Sequence, residues 1–286
     1  MTPALGETAS WLLWPHSPGI APTCPDFEYQ GDDVSDVHRP RLFEYAPSRA
    51  NGRSVLVLAG GGYTKLVVSY EGADVARWLN SLGCHAYLLV HRFPQARWAT
   101  QGRNGSQAPL DDAIEAMRQI RARRPFDEVG ALGLSSGGHL AASLASNYPA
   151  GWRPPATSHA DLSLRPDFLI VGYAPISTNA TGRTLVPDKA PLPPPEKQAL
   201  YEALQPDAHL RDDPPPTFIV YSAEDPVVPV ENAWRLAAAI RAKGGAAETH
   251  VYARGAHGFA LRETALPIGQ WPLICAAWFR GLKLRS

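Results

Sequence analysis

Ser135, Asp225 and His257 supply the residue types of a nucleophile, an orienting carboxylate and a general base, and each follows an apolar run in a chain of 286 residues. A serine hydroxyl is a weak nucleophile near neutral pH. It needs a base within hydrogen-bond reach and a carboxylate that holds that base in the right tautomer. Ser135 lies in the turn Gly133-Leu134-Ser135-Ser136-Gly137. A serine on a sharp strand-to-helix turn brings its backbone close to its neighbours, and the glycines at 133 and 137 leave the room. The helix expected after it would aim its positive N-terminal end at charge developing during acyl transfer. Asp225 follows a strand-like run in Ser222-Ala223-Glu224-Asp225-Pro226, and His257 lies in Arg254-Gly255-Ala256-His257-Gly258. Glu224 is the fallback acid, expected to point away from the turn.

A fourth element lies upstream. The apolar run at 55–58 leads into Ala59-Gly60-Gly61-Gly62-Tyr63, whose glycines allow backbone N–H groups to approach an oxyanion closely. One N–H from Gly61 or Gly62 and one from Ser136 would form the hole. Each such donor contributes about 3 to 4 kcal/mol to the transition state. Tyr63, Trp98 and Trp152 are the aromatic candidates for lining an acyl or sugar pocket. His139, in the first turn after the nucleophile, is read as structural. The remaining histidines show no metal-ligand spacing, so neither a metal nor a cofactor is expected.

These residues need a rigid frame. Strand-like runs at 54–58, 86–90, 129–134, 168–172, 217–221 and 249–252 alternate with helical patterns at 73–82, 110–123, 138–147 and 230–243. Alternation of buried strands and helices predicts an α/β fold with a mostly parallel sheet. In the fourth helix Val230, Ala233, Trp234, Ala237 and Ile240 are expected to share a face. Residues 1–50 read as antiparallel edge strands, with 41–45 the clearest. Residues 150–216 are rich in proline and predict surface loops with a short helix near 196–204, forming a connector or a partial lid. The whole of 1–286 is read as one domain.

Lys+Arg and Asp+Glu balance at 27 each, and no run of one sign favours a nucleic-acid or anionic-membrane partner. A neutral small-molecule ester fits better. The 3 cysteines are far apart and predict free thiols in a reducing, cytoplasmic setting, with no membrane association. A homodimer is compatible with the sequence, which leaves the oligomeric state open.

Leu58-Ala59-Gly60-Gly61-Gly62-Tyr63, Tyr70-Glu71-Gly72, the Ser135 turn, Asp225-Pro226-Val227-Val228-Pro229 and His257-Gly258-Phe259-Ala260-Leu261 together resemble the acetylxylan-esterase-like branch of the α/β-hydrolases, and the order Ser, Asp, His is theirs. The resemblance runs over nearly the whole chain. It implies a three-layer α/β-hydrolase fold, with antiparallel N-terminal strands and helices on both faces, and a metal-free serine esterase for small acyl groups, including acetyl groups on sugars. Two positions depart from the branch: Ala59 replaces a proline before the glycines, and His91 replaces a tyrosine before Arg92. A single-domain serine peptidase akin to prolyl oligopeptidases is the alternative enzyme, and a non-catalytic binding protein on the same fold is the alternative outside enzymes.

Overall fold

Ten strands and seven helices carry the frame in the computed structural model, which describes residues 5–14, 24–94, 105–149, 152, 164–177 and 193–282. In chain order they are β1 (Ala9–Leu12), β2 (Phe27–Gln30), β3 (Asp33–Val37), β4 (Arg41–Tyr45), β5 (Arg53–Leu58), α1 (Asp74–Ser81), β6 (His85–Val90), α2 (Ala108–Arg123), β7 (Glu128–Leu134), α3 (Ser136–Leu144), β8 (Leu169–Gly172), α4 (Pro195–Ala203), α5 (Pro206–His209), β9 (Thr217–Ser222), α6 (Glu231–Ala242), β10 (Ala247–Tyr252) and α7 (Trp271–Gly281). Eight strands form one sheet in the order β1-β4-β6-β5-β7-β8-β9-β10. From β6 to β10 the neighbours pair in parallel, while β1 and β4 join antiparallel at one edge. The N-terminal expectation therefore holds for β1 and β4. By contrast, β2 and β3 leave the sheet as a separate hairpin, tied back by the Val34–Leu66 bridge.

Every side chain from Val55 to Leu58 and from Ala86 to Val90 is buried, as strands covered on both faces require. Helices α1 and α7 meet on one face through the edge-to-face pair Trp78–Trp271, ring centroids 5.4 Å apart. Helices α2, α3, α5 and α6 pack in succession over the other. In α6 the buried stripe is Ala233, Leu236, Ala237 and Ile240. Trp234 is half exposed, which corrects the expected face: one residue on from Ala233 is a turn of about 100° away from the core.

The parallel strands point their C-terminal ends the same way. The loops after β5, β6, β7, β8, β9 and β10 thus lie at one end of the sheet, the usual location of a site in an open α/β sheet. At the end of β6, Arg92 is buried against Asp112 of α2, at 2.5 Å. The same carboxylate accepts the Arg92 backbone N–H and the Trp14 indole N–H. This pairing fixes the strand end to the helix layer.

Candidate active site

Ser135 sits between β7 and α3 with φ 52 and ψ −125. A non-glycine residue in that region costs of order 1–3 kcal/mol, and the close packing beneath it holds it there. A Cβ on Gly133 would lie 2.1 Å from the Gly137 carbonyl oxygen, and one on Gly137 would lie 2.0 Å from that of Leu58. The two glycines are therefore required by contact between strand, turn and helix.

Ser135 Oγ is 3.0 Å from His257 Nε2, and His257 Nδ1 is 2.7 Å from Asp225 Oδ2. The other oxygen, Asp225 Oδ1, accepts the N–H groups of Val227 and Val228. With its side chain fully enclosed and both oxygens engaged, the carboxylate has one orientation. It receives Nδ1–H and leaves Nε2 as the acceptor for the serine proton. Glu224, by contrast, is exposed and faces Arg254 at 4.0 Å. Tyr173 packs edge-to-face on the imidazole, ring centroids 5.1 Å apart.

The glycine loop runs alongside. Gly60 N–H donates to Glu71 Oε2 and Gly62 N–H to Ser136 Oγ, at 2.8 and 2.9 Å. Gly61 takes φ 133 and Gly62 φ 66, conformations that favour glycine.

A model of the prolyl oligopeptidase family matches residues 176–269. The solved structure of an acetyl ester-xyloside bifunctional hydrolase from Caldicellulosiruptor lactoaceticus superposes with TM-score 0.71 at 27% identity over 96% of both chains. The chain belongs to the α/β-hydrolase superfamily. Within it the likeness is to the acetylxylan-esterase-like branch. Endo-1,4-beta-xylanase B of Butyrivibrio fibrisolvens is 31% identical over 226 residues, which is 77% of this chain and 34% of that protein. The acetylxylan esterase of Xylanibacter ruminicola is 25% identical over 244 residues, or 79% of this chain and 45% of that protein. The chain thus spans less than half the length of these curated relatives.

Of the aromatic candidates in this α/β-hydrolase, Tyr63 is fully buried, so it offers no surface to a substrate. Its hydroxyl instead meets His139 Nδ1 at 2.9 Å, and its ring packs on Tyr201 of α4. His139 is buried too, and its Nε2–H donates to the Leu204 carbonyl. Burial depresses its pKa to about 4, partly offset by that bond. Trp152 is half-buried against the core, and Trp98 lies outside the described residues. The expected short helix of the Pro-rich segment is α4. It leans on the glycine loop: a Cβ on Gly62 would lie 3.4 Å from Lys197 Nζ.

Among the described residues, Glu28, Asp36 and His38 are the grouped potential metal ligands, their ligand atoms within 4.8 Å of one another on the β2–β3 hairpin. Glu28 already pairs with His38, and Asp36 caps the Val37 N–H. No helix among the described residues is long and apolar enough to cross a membrane. The residue that sequence reasoning did not single out for the site is Glu71. Its signal was a lone acid in an otherwise apolar stretch, between Tyr70 and Gly72.

Proposed function

We propose that this α/β-hydrolase is a serine carboxylesterase for small acyl esters, acetyl esters of sugars among them. The observation that carries the reading is the continuous Asp225–His257–Ser135 chain of hydrogen bonds at 2.7 and 3.0 Å. Ser135 Oγ attacks the ester carbonyl as His257 Nε2 takes its proton, and Asp225 stabilises the imidazolium. The oxyanion is received by the N–H groups of Gly61 and Ser136 on either side of the nucleophile. Gly62 supports the hole through its bond to Ser136 Oγ, which fixes the loop against the start of α3. His257 then protonates the leaving alcohol and activates a water, which releases the acid and restores Ser135. The acetyl substrate class is supported by the acetylxylan esterase and the acetyl ester-xyloside hydrolase among the relatives. Helix α4, whose Lys197 reaches the glycine loop, is proposed to border the alcohol side of the pocket.

A peptidase reading rests on the prolyl oligopeptidase family match. Profiling wild type and Ser135→Ala on p-nitrophenyl acetate, acetylated xylo-oligosaccharides, longer-chain esters and peptidyl amides tests both readings. Hydrolysis confined to short esters and lost in Ser135→Ala is the expected result. Preference for peptidyl amides would replace esterase by peptidase, and activity surviving in Ser135→Ala would remove Ser135 as nucleophile.

A further inference from the structure

Behind the triad lies a second carboxylate that the mechanism above does not use. Glu71 is buried in a π-helical turn, Ser69–Ala73, just before α1, closed by the Ala73 N–H to Val68 carbonyl bond at 2.8 Å. Such turns inside helical segments are frequent at functional sites, because they rotate one side chain out of the regular helical row. Glu71 lies within this turn, and its side chain reaches three of the loops that build the site. Its Oε2 accepts the Gly60 N–H at 2.8 Å. Its Oε1 accepts the Tyr173 hydroxyl at 2.9 Å, from the ring packed on His257. A Cβ on Gly258, next to His257, would lie 3.7 Å from the same Oε1.

The chemistry at those contacts is one-sided. Gly60 N–H can only donate. Burial and the neighbouring carboxylate hold the Tyr173 phenol well above its usual pKa, so it too is a donor. Burial holds the Glu71 carboxyl above its usual range, an effect that Tyr173, Gly60 and His257 offset only in part. Two donors on two oxygens are best met by the ionised form, which accepts on both. The fit around Gly60 is equally tight, since a Cβ there would lie 2.3 Å from Glu71 Oε2 and 2.8 Å from Ser135 Cβ.

We infer that Glu71 is a positioning residue for ester hydrolysis: it holds the glycine loop in register with Ser135 and, through Tyr173, holds the imidazole of His257. The inference rests on the esterase reading above. Its consequence is specific to the transition state. The loop N–H groups are pinned for charge that appears only as the carbonyl becomes tetrahedral, and the Glu71 charge lies beside an imidazole that becomes cationic in the same step. Ground-state binding of a neutral ester draws little on either effect.

The test compares wild type with Glu71→Gln and Glu71→Leu on p-nitrophenyl acetate, with functional sites counted by a fluorophosphonate label on Ser135. Glu71→Gln keeps the volume and one acceptor but removes the charge, so it is expected to fold and to lose about tenfold in kcat per labelled site, with KM within twofold. Glu71→Leu removes both acceptors and is expected to lose a further tenfold or more. Inhibition by phenylboronic acid, which forms a tetrahedral adduct on the serine, should weaken in parallel with kcat and not with KM. If Glu71→Gln keeps kcat and boronate affinity per labelled site within twofold of wild type, Glu71 only fills space and the inference is overturned. A loss seen only in the number of labelled sites would overturn it equally. Should wild type itself neither hydrolyse the ester nor take the label, the esterase reading fails and this inference with it.

Discussion

The Tyr63 hydroxyl donates to Nδ1 of His139 at 2.9 Å, and because Nε2–H is committed to the Leu204 carbonyl at 2.8 Å, the imidazole is held neutral in one tautomer. This bond joins the residue after the glycine loop to the nucleophile helix, and its second half joins that helix to the segment following α4. A neutral buried histidine with its pKa depressed to about 4 has a defined effect on stability. The unfolded chain takes up a proton near the ordinary value of 6.5, and the folded chain does so only near 4. Stability is therefore fully present above pH 6.5 and declines as the pH falls toward 4, by up to about 3 kcal/mol at 1.36 kcal/mol per pH unit. His91 and His85, whose pKa values burial also lowers, add in the same direction. Urea unfolding at pH 7 and pH 5 measures the slope. In His139→Asn it should be shallower, and an unchanged slope would exclude His139 as a source.

The backbone at Ser135 separates chemistry from stability. With φ 52, a side chain at this position carries strain that glycine does not. Ser135→Ala and Ser135→Gly should both be inactive, yet the glycine variant should be the more stable by about 1 kcal/mol. Thermal unfolding of the two variants side by side is the check. An alanine variant as stable as the glycine one would mean that the turn is unstrained.

The two neighbouring acids after β9 should differ sharply. Asp225 is enclosed and bonded to His257 Nδ1, while Glu224 is exposed beside Arg254. An amide at 225 offers a donor where the imidazole also donates, so Asp225→Asn should lower kcat by about 10⁴-fold. Glu224→Gln should leave kcat and KM within twofold. Steady-state kinetics on one short ester distinguish the pair, and the reverse pattern would move the acid to 224.

Arg92 and Asp112 test the frame itself. The guanidinium and carboxylate are 2% and 0% exposed, so removing one partner leaves an uncompensated buried charge. Asp112→Ala should cost about 3 to 5 kcal/mol, read from chemical denaturation. Asp112→Asn, which keeps a hydrogen-bond acceptor for the arginine, should cost less. Equal costs for the two variants would show that the hydrogen bonds contribute nothing beyond the charge pairing.

The frame was largely legible because its signals are local. Apolar runs of strand length alternating with helical spacing lead directly to the parallel sheet. Errors arose where a local pattern had two solutions. Trp234 sits among apolar neighbours and reads as core, yet helical geometry turns it outward and buries Leu236 in its stead. Residues 27–37 read as edge strands and instead pair with each other off the main sheet.

By itself the sequence determined the identity and order of the groups that form the serine, histidine and aspartate chain, because each lies in the turn that follows a strand-like run. Tertiary structure decided how the surroundings of those groups are used. It placed Glu71 under the glycine loop, buried Tyr63 against His139, and tied the Gly60 and Gly62 N–H groups to Glu71 and Ser136. These contacts join residues up to about a hundred positions apart, Tyr173 and Glu71 among them. No sequence period spans that distance; sheet order and the convergence of strand ends bring such residues together.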